Sequence, residues 1–252
     1  MLEGKVVVVS GVGDGLGHQV AAAVVRDGGY AVLGARTEAN LAKTAAAIDP
    51  DGTRTAYRVT DITRDDDVAA LAELASERFG AVDALVNVAA MYMQTGDLEE
   101  ADFEIWSQVV DVNLMGTLRM TRAFLPALKA RGGSVVLIGT QAEIDPNPYA
   151  SLTAYSASKG ALTSAMYSLA RELGPHRIRV NSVLPGWMWG PVAKSYVRES
   201  EGDLLAQLTE RMALPEMATD GDVAEAVVFL ASDRARAITG QTLLVNAGEV
   251  MR

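Results

Sequence analysis

The chain has 252 residues, a net charge of −10, 49% apolar and 21% charged residues, and no cysteine. Those numbers exclude disulfides and thiolate metal sites, and the acidity argues against a nucleic-acid partner held on a basic face. With no linker, repeat or low-complexity run, and an opening apolar run too short for a signal peptide or a membrane span, the sequence predicts one domain over residues 1–252, cytoplasmic and with no membrane partner.

The first predicted elements are a strand over 5–10, "KVVVVS", and a helix over 16–28. A strand over 30–35 and a helix over 38–48 follow, then a strand over 54–59, a helix over 64–80 and a strand over 82–88. A long helix runs from about 103 to 130, with a strand over 133–139, a helix over about 153–173 and a strand over 177–184 behind it. Residues 187–219 break the rhythm, as a substrate-binding loop would. A helix over 221–232 and a strand over 241–246 close the pattern. Strands made of unbroken apolar runs, each followed by a helix, imply a parallel sheet covered on both faces. Repeated βαβ units of this kind give an α/β fold with a doubly wound, Rossmann-type, mostly parallel sheet, here of seven strands. Asp65, Asp66 and Asp67 open the third helix and offset its dipole. His18 and His176 are too few and too far apart to hold a metal.

Between the first strand and the first helix lies "SGVGDGLGHQV". The spacing G-x-G-x-x-G does not fit, because from Gly11 its last position falls on Leu16 and from Gly13 on His18. G-x-x-x-G-x-G does fit, on Gly11, Gly15 and Gly17. At that place such a turn brings backbone amides and a helix N-terminus up to a pyrophosphate, although glycines also make ordinary turns. A second signal lies in "TAYSASKGAL", where Tyr155 and Lys159 stand four residues apart on one helix face. An ammonium beside a phenol is expected to lower its pKa and make it a working general acid.

With both motifs present, the sequence resembles the short-chain dehydrogenase/reductase family over almost its whole length. "DIT" at 61–63, "NVAA" at 87–90, "DVNLMGT" at 111–117, "RVNSVLPGW" at 179–187 and "ITGQTLLVNAG" at 238–248 recur in the family's order. The resemblance implies reversible hydride transfer between a nicotinamide and a carbonyl or secondary alcohol. It makes Tyr155 the proton donor and acceptor, Lys159 its partner and the holder of the nicotinamide ribose, and Asn113 the anchor of a relay water in a kinked helix. The family's substrate-binding serine aligns with Thr140, which keeps the hydroxyl. Ser151 is the other hydroxyl nearby, and a helix-start role suits it better. Ala90 stands where the family has glycine, a source of strain if that position needs φ > 0. The cofactor is expected to meet Gly11, Asp14, Gly15, Leu16, Gly17, Arg36, Asp61, Ile62, Asn87, Ala89, Tyr155, Lys159, Pro185 and Gly186.

Family members that prefer NAD(H) usually carry an acid where Ala35 lies. Arg36, next along, offers a charge for a 2′-phosphate. Asp14 argues the other way unless it turns to solvent or caps the first helix. NADP(H) is favoured, with NAD(H) the alternative. A threonine that the family often has near Gly190 is missing. Trp187, Met188 and Trp189 are expected to line an apolar substrate cavity with Gln141, Tyr149 and Met91 to Met93, although aromatic side chains also serve core or subunit contacts. The family is commonly a homotetramer, so a homo-oligomer, tetramer or dimer, is expected. A catalytically silent dinucleotide-binding regulator of the same fold is the competing reading. Retention of Asn113, Tyr155 and Lys159 together favours the enzyme.

Overall fold

The computed structural model of the protein describes residues 1–93, 97–146, 151–199 and 204–251. Seven strands are present among them: β1 (Val6–Ser10), β2 (Tyr30–Ala35), β3 (Thr55–Val59), β4 (Ala84–Asn87), β5 (Gly133–Ile138), β6 (Ile178–Pro185) and β7 (Thr242–Val245). They form one sheet in the order β3-β2-β1-β4-β5-β6-β7, and every pairing is parallel. The helices are α1 (Leu16–Arg26), α2 (Glu38–Ile48), α3 (Asp65–Phe79), α4 (Phe103–Val110), α5 (Thr117–Arg131), α6 (Thr153–Leu173), α7 (Pro191–Glu199), α8 (Leu204–Glu210) and α9 (Asp220–Ala231).

The continuous valines of β1 show why the sheet needs cover on both faces. Successive side chains of a strand point to opposite sides. Val7 and Val9 pack into a core built from α1, α2 and α9, while Val6 and Val8 pack into a second core with α3, α5 and α6. All four valines are buried. β1 pairs on one side with β2 and on the other with β4, bringing Ser10 level with Asn87. The chain leaves β1 toward one edge of the sheet and later returns to build the other half from β4. A crevice therefore opens at the carboxyl ends of these two strands, where open α/β sheets bind ligands.

Two predicted elements change form. The long helix over 103–130 is α4 and α5 joined by a π-helical turn, Asp111–Gly116. The expected kink at Asn113 takes that shape. The excursion at 187–219 is not a bare loop, because it holds α7 and α8. Both are short, at 9 and 7 residues, too short to show a helical period against the surrounding polar sequence. Among the described residues no helix is long and apolar enough to cross a membrane.

Candidate active site

The glycine turn is shaped by close packing. Gly11 adopts φ +80°, and a Cβ there would fall on the Ala89 backbone and lie 2.9 Å from the Val88 carbonyl carbon. A Cβ on Gly17 would lie 2.9 Å from Val12 Cα. Only glycine lets the turn fold so tightly against the end of β4. Gly15 is the N-cap of α1 and supplies no side-chain cap. First-turn amides have no partner in the regular ladder; that of His18 turns back to the Gly15 carbonyl at 3.0 Å, which leaves those of Leu16 and Gly17 beside the crevice that Gly15 and Leu16 line. Ser10 Oγ and Asn87 Oδ1, at the adjoining strand ends, are buried with no hydrogen-bond partner. Amides, orphaned polar atoms and a cradle that any Cβ would fill suit a dinucleotide pyrophosphate.

One end of the crevice is a cavity of about 300 Å³ lined by Gly11, Arg36, Asp61, Ile62, Ala89 and Met91, among others. Burial opposes ionisation of Asp61, but the Thr63 amide and hydroxyl donate to its Oδ1 at 2.9 and 2.7 Å. With the charges of Arg36 and Arg64, they hold its carboxyl below the ordinary range. Asp14 does not cap α1. Lys43 of α2 donates to its Oδ1 at 2.7 Å on the exposed surface, and that bond holds the carboxyl below its usual value. The cap expectation fails because Gly15, not Asp14, occupies the N-cap. Ala90 lies outside the positive-φ residues, so the glycine-to-alanine departure carries no strain.

At the other end Tyr155 and Lys159 of α6 meet Thr140, which follows β5. The Thr140 hydroxyl lies beside that of Tyr155 and favours its ionised form, while its oxygen accepts from the Ala142 amide at 3.3 Å. Lys159 is buried, donates to the Ile138 carbonyl at 2.6 Å, and lies 5.9 Å from the centroid of the Tyr155 ring. Tyr92 packs edge-on against that ring with centroids 5.2 Å apart. The expected lowering of the phenol pKa is not what this geometry produces. Burial pushes Tyr155 up to about 12, although the Thr140 hydroxyl opposes it. Burial also draws Lys159 down to about 8. Desolvation outweighs attraction at both groups.

The Asn113 side chain is fully engaged. Its Oδ1 accepts from the Met91 amide at 2.7 Å, and its Nδ2 donates to the Met91 carbonyl at 3.1 Å and to Ser158 Oγ at 3.0 Å. It therefore ties the segment after β4 to α6 just beside Tyr155. Its main-chain carbonyl accepts from Thr117 Oγ1 at 2.9 Å. A π turn frees carbonyls from the regular ladder and is frequent at functional sites. Ser151 neither caps α6 nor reaches Tyr155; it donates to Asp97 Oδ1 at 2.8 Å.

Above Tyr155 lies a cavity of about 450 Å³ with walls that include Tyr92, Leu152, Trp187, Met188, Pro185 and Gly186. That volume suits a small organic ligand. Its far end is polar. Gln141 Nε2 donates to Glu249 Oε2 at 2.6 Å and its Oε1 accepts from Asn246 at 3.0 Å, while Arg211 donates to Asp145 at 2.6 Å. Three expected lining residues are elsewhere. Trp189 faces α8, near Leu205, Thr209 and Met217, with Lys194 over its ring at 5.6 Å. Met91 turns toward the Arg36 end, and Met93 is exposed. Tyr149 lies outside the described residues. Asp220, at the start of α9, was not anticipated. It sits against Gly190 and Gly15, filling the space a side chain at 190 would need, and burial pushes its carboxyl up against the pull of Lys194. Arg211 and Glu249 also escape sequence reading, since their partners are 66 and 108 residues away.

The two tryptophans should therefore separate in function. Trp187→Ala is expected to change the kcat/KM ratio between a bulky and a small substrate by about tenfold or more. Trp189→Ala should leave that ratio within about twofold, read on the same substrate panel.

A parallel sheet with a glycine turn at its switch point, leading to a Thr–Tyr–Lys cluster with Lys159 buried under an apolar cavity, is the arrangement expected of a dinucleotide-binding oxidoreductase. Residues 11–249 match the family model described as "Enoyl-(Acyl carrier protein) reductase". The chain is 33% identical over 261 residues to Dehydrogenase/reductase SDR family member 4 of Sus scrofa, covering 100% of this chain and 89% of that one. It is 30% identical over 253 residues to Short chain dehydrogenase/reductase astE of Aspergillus oryzae, with 98% and 95% covered. A solved short-chain type dehydrogenase/reductase from Mycobacterium ulcerans superposes with a TM-score of 0.92 at 28% identity, covering 98% of this chain and 90% of that one. The chain belongs to the short-chain dehydrogenase/reductase family, whose members use a nicotinamide cofactor.

Proposed function

We propose that the protein interconverts a carbonyl and a secondary alcohol on an apolar substrate, with NADP(H) as the favoured cofactor. The observation that supports this reading is the convergence of Thr140, Tyr155 and Lys159 at the base of an apolar cavity that adjoins the glycine turn. When bound, the cofactor supplies a hydride to the carbonyl carbon or takes one from the alcohol carbon. The amides at Gly15, Leu16 and Gly17 would hold its pyrophosphate, Asp61 and Ile62 would meet its adenine, and Asn87 and Ala89 would close the crevice between them. Pro185 and Gly186 face the nicotinamide end.

Thr140 and Tyr155 grip the substrate oxygen between their hydroxyls. In reduction that oxygen gains negative charge, and Tyr155 gives up its proton. The phenolate left behind is a stronger base than Lys159, whose ammonium returns the proton. Asn113 holds the loop and helix around this exchange, and the carbonyl in the π turn anchors the water that refills Lys159. Because Lys159 is protonated below about pH 8, reduction stays level there and falls as the pH rises through it. The polar end of the cavity, with Gln141 fixed between Asn246 and Glu249, limits the length of an apolar substrate. Exposed Phe103, Met115 and Tyr167 give the α4–α6 side apolar area for a homo-oligomer, tetramer or dimer. Residues 1–252 act in this reading as one domain of a cytoplasmic enzyme.

The test of the reaction is an assay of ketones and secondary alcohols with both cofactors; binding without turnover anywhere in the panel would sink it and leave a silent binder. The cofactor choice has its own test. Asp14 is paired with Lys43, so its repulsion of a 2′-phosphate is muted, and Arg36, exposed and in no ion pair among the described residues, lines the cavity where one would lie. Fluorescence titration is expected to give a tighter Kd for NADPH than for NADH. Arg36→Ala should weaken NADPH by about tenfold and leave NADH nearly unchanged. Equal loss for both would show that Arg36 does not read the phosphate.

A further inference from the structure

One half-buried ionisable group near the reacting residues has no part in the steps above. Glu143 sits in the 3₁₀ turn Gln141–Glu143 that follows Thr140. Thr163 Oγ1 donates to its Oε1 at 2.8 Å, whereas Oε2 is buried with no hydrogen-bond partner. A glutamine would satisfy Thr163 equally well and would not carry the cost of a desolvated charge. Packing therefore does not explain the carboxylate.

Its surroundings do. Tyr155, Lys159 and Thr163 are spaced four apart on α6, so they form one stripe, and Glu143 is fastened to the third of them. Lys159 is buried at 1% exposure, and its ammonium has the Ile138 carbonyl as its hydrogen-bond acceptor. A buried ammonium held by a carbonyl dipole alone loses its proton readily. Glu143 supplies the opposite charge. We propose that Glu143 is a positioning residue that keeps Lys159 in the ammonium form, so that Lys159 can return a proton to Tyr155. This rests on the reaction proposed above.

The electrostatics agree in both directions. Burial draws Lys159 down to about 8, and Glu143 is the charged group that opposes the fall. Burial pushes the Glu143 carboxyl up, and Lys159 is the charged group that opposes the rise. Glu143 also adds to the upward shift of Tyr155, which keeps the phenol protonated until the substrate oxygen demands the proton. Asp14, Asp145, Arg211, Asp220 and Glu249 line the same cavity. Among the charged groups, Glu143 is the one named against the fall of Lys159 and for the rise of Tyr155.

The test follows Lys159 directly. In protein carrying ¹³Cε-labelled lysine, its NMR signal, assigned by its loss in Lys159→Met, should titrate near pH 8. Glu143→Gln is expected to lower that midpoint by about one pH unit, the usual reach of one nearby opposite charge. The falling alkaline limb of kcat/KM for ketone reduction should move by the same amount. Glu143→Asp, which keeps the charge, should restore most of the midpoint. Thr163→Val serves as a second probe should Glu143→Gln not fold. Removing the hydroxyl disfavours the Glu143 carboxylate, so the Lys159 midpoint should fall, by less. A midpoint that stays put in either folded variant overturns the role of Glu143, even if the enzyme reduces ketones as proposed. A moved NMR midpoint with an alkaline limb that does not follow overturns its link to proton return. Failure of ketone reduction in the wild type overturns the parent reading, whatever the NMR titration shows.

Discussion

Tyr155→Phe is expected to lower kcat/KM for ketone reduction by about 10³-fold, while the Kd for NADPH stays within about twofold. The change removes a single oxygen. The ring keeps its edge contact with Tyr92 and its place beside Lys159, so binding surfaces survive. What disappears is the proton donor, the hydroxyl beside that of Thr140. General acid catalysis contributes about 10²–10⁴-fold, and the expected loss of about 10³ is the middle of that range. Single-turnover rates with preloaded NADPH separate chemistry from binding. A variant that kept a tenth of wild-type turnover would remove Tyr155 from the proton-transfer role.

Gly11→Ala should be the most damaging small substitution in the cofactor crevice. It places a side chain on a residue at φ +80°, which costs roughly 1 kcal/mol for alanine. It also drives a Cβ into the Ala89 backbone, where no side-chain rotation can relieve the contact. Gly52→Ala is the matched control, with φ +64° and nothing within 4 Å of the added carbon. The control should lower Tm by about 2–4 °C, as 1 kcal/mol does in a protein of this size. Gly11→Ala should lower it by at least twice as much and weaken both NADPH and NADH by more than about tenfold. Calorimetry and fluorescence titration check the two effects. Equal Tm losses in the pair would mean that backbone conformation matters at Gly11 and close packing does not.

The architecture was legible because its signals are local. Short apolar runs such as the four valines of Val6–Ser10, each followed by a helix, are buried on both faces in a parallel sheet under helices, and the strand sequence follows. Gly11 and Gly17 were readable because a Cβ at either would strike backbone, at Ala89 and within the turn itself, whereas Gly15 has room for one and was read from its place in the spacing. Tyr155 and Lys159 were readable because a four-residue spacing on a helix is a spatial statement already. Thr140 was found by counting from the end of β5, and the structure places it on Tyr155.

What escaped depends on contacts between distant segments. Asp14 reads as a helix cap from its neighbours alone, and Lys43, 29 residues on, turns it into half of a surface ion pair. Trp187 and Trp189 look alike in "GWMWGP", but only α7 and α8, too short to announce themselves, decide which of them faces the cavity. The phenol's shift could not be signed from spacing, because proximity to an ammonium and burial act in opposite senses and only coordinates reveal the burial. Glu143 carried no signal at all. Its meaning comes from Thr163 and Lys159 across the turn.

The π turn at Asp111–Gly116 has one more effect, on the outside of the molecule. A π turn accommodates one residue more than the α-helix it interrupts, and each residue of an α-helix advances the side chains by about 100°. The extra residue thus rotates everything before it relative to everything after it. α4 is turned about its axis with respect to α5, and the aspect it shows to water, with Phe103 at 64% exposure, is set by that rotation. A single inserted residue therefore couples the interior and the perimeter. Smoothing the helix to close the carbonyl gap around Asn113 would also re-aim the outer surface, so neither could drift in evolution without the other.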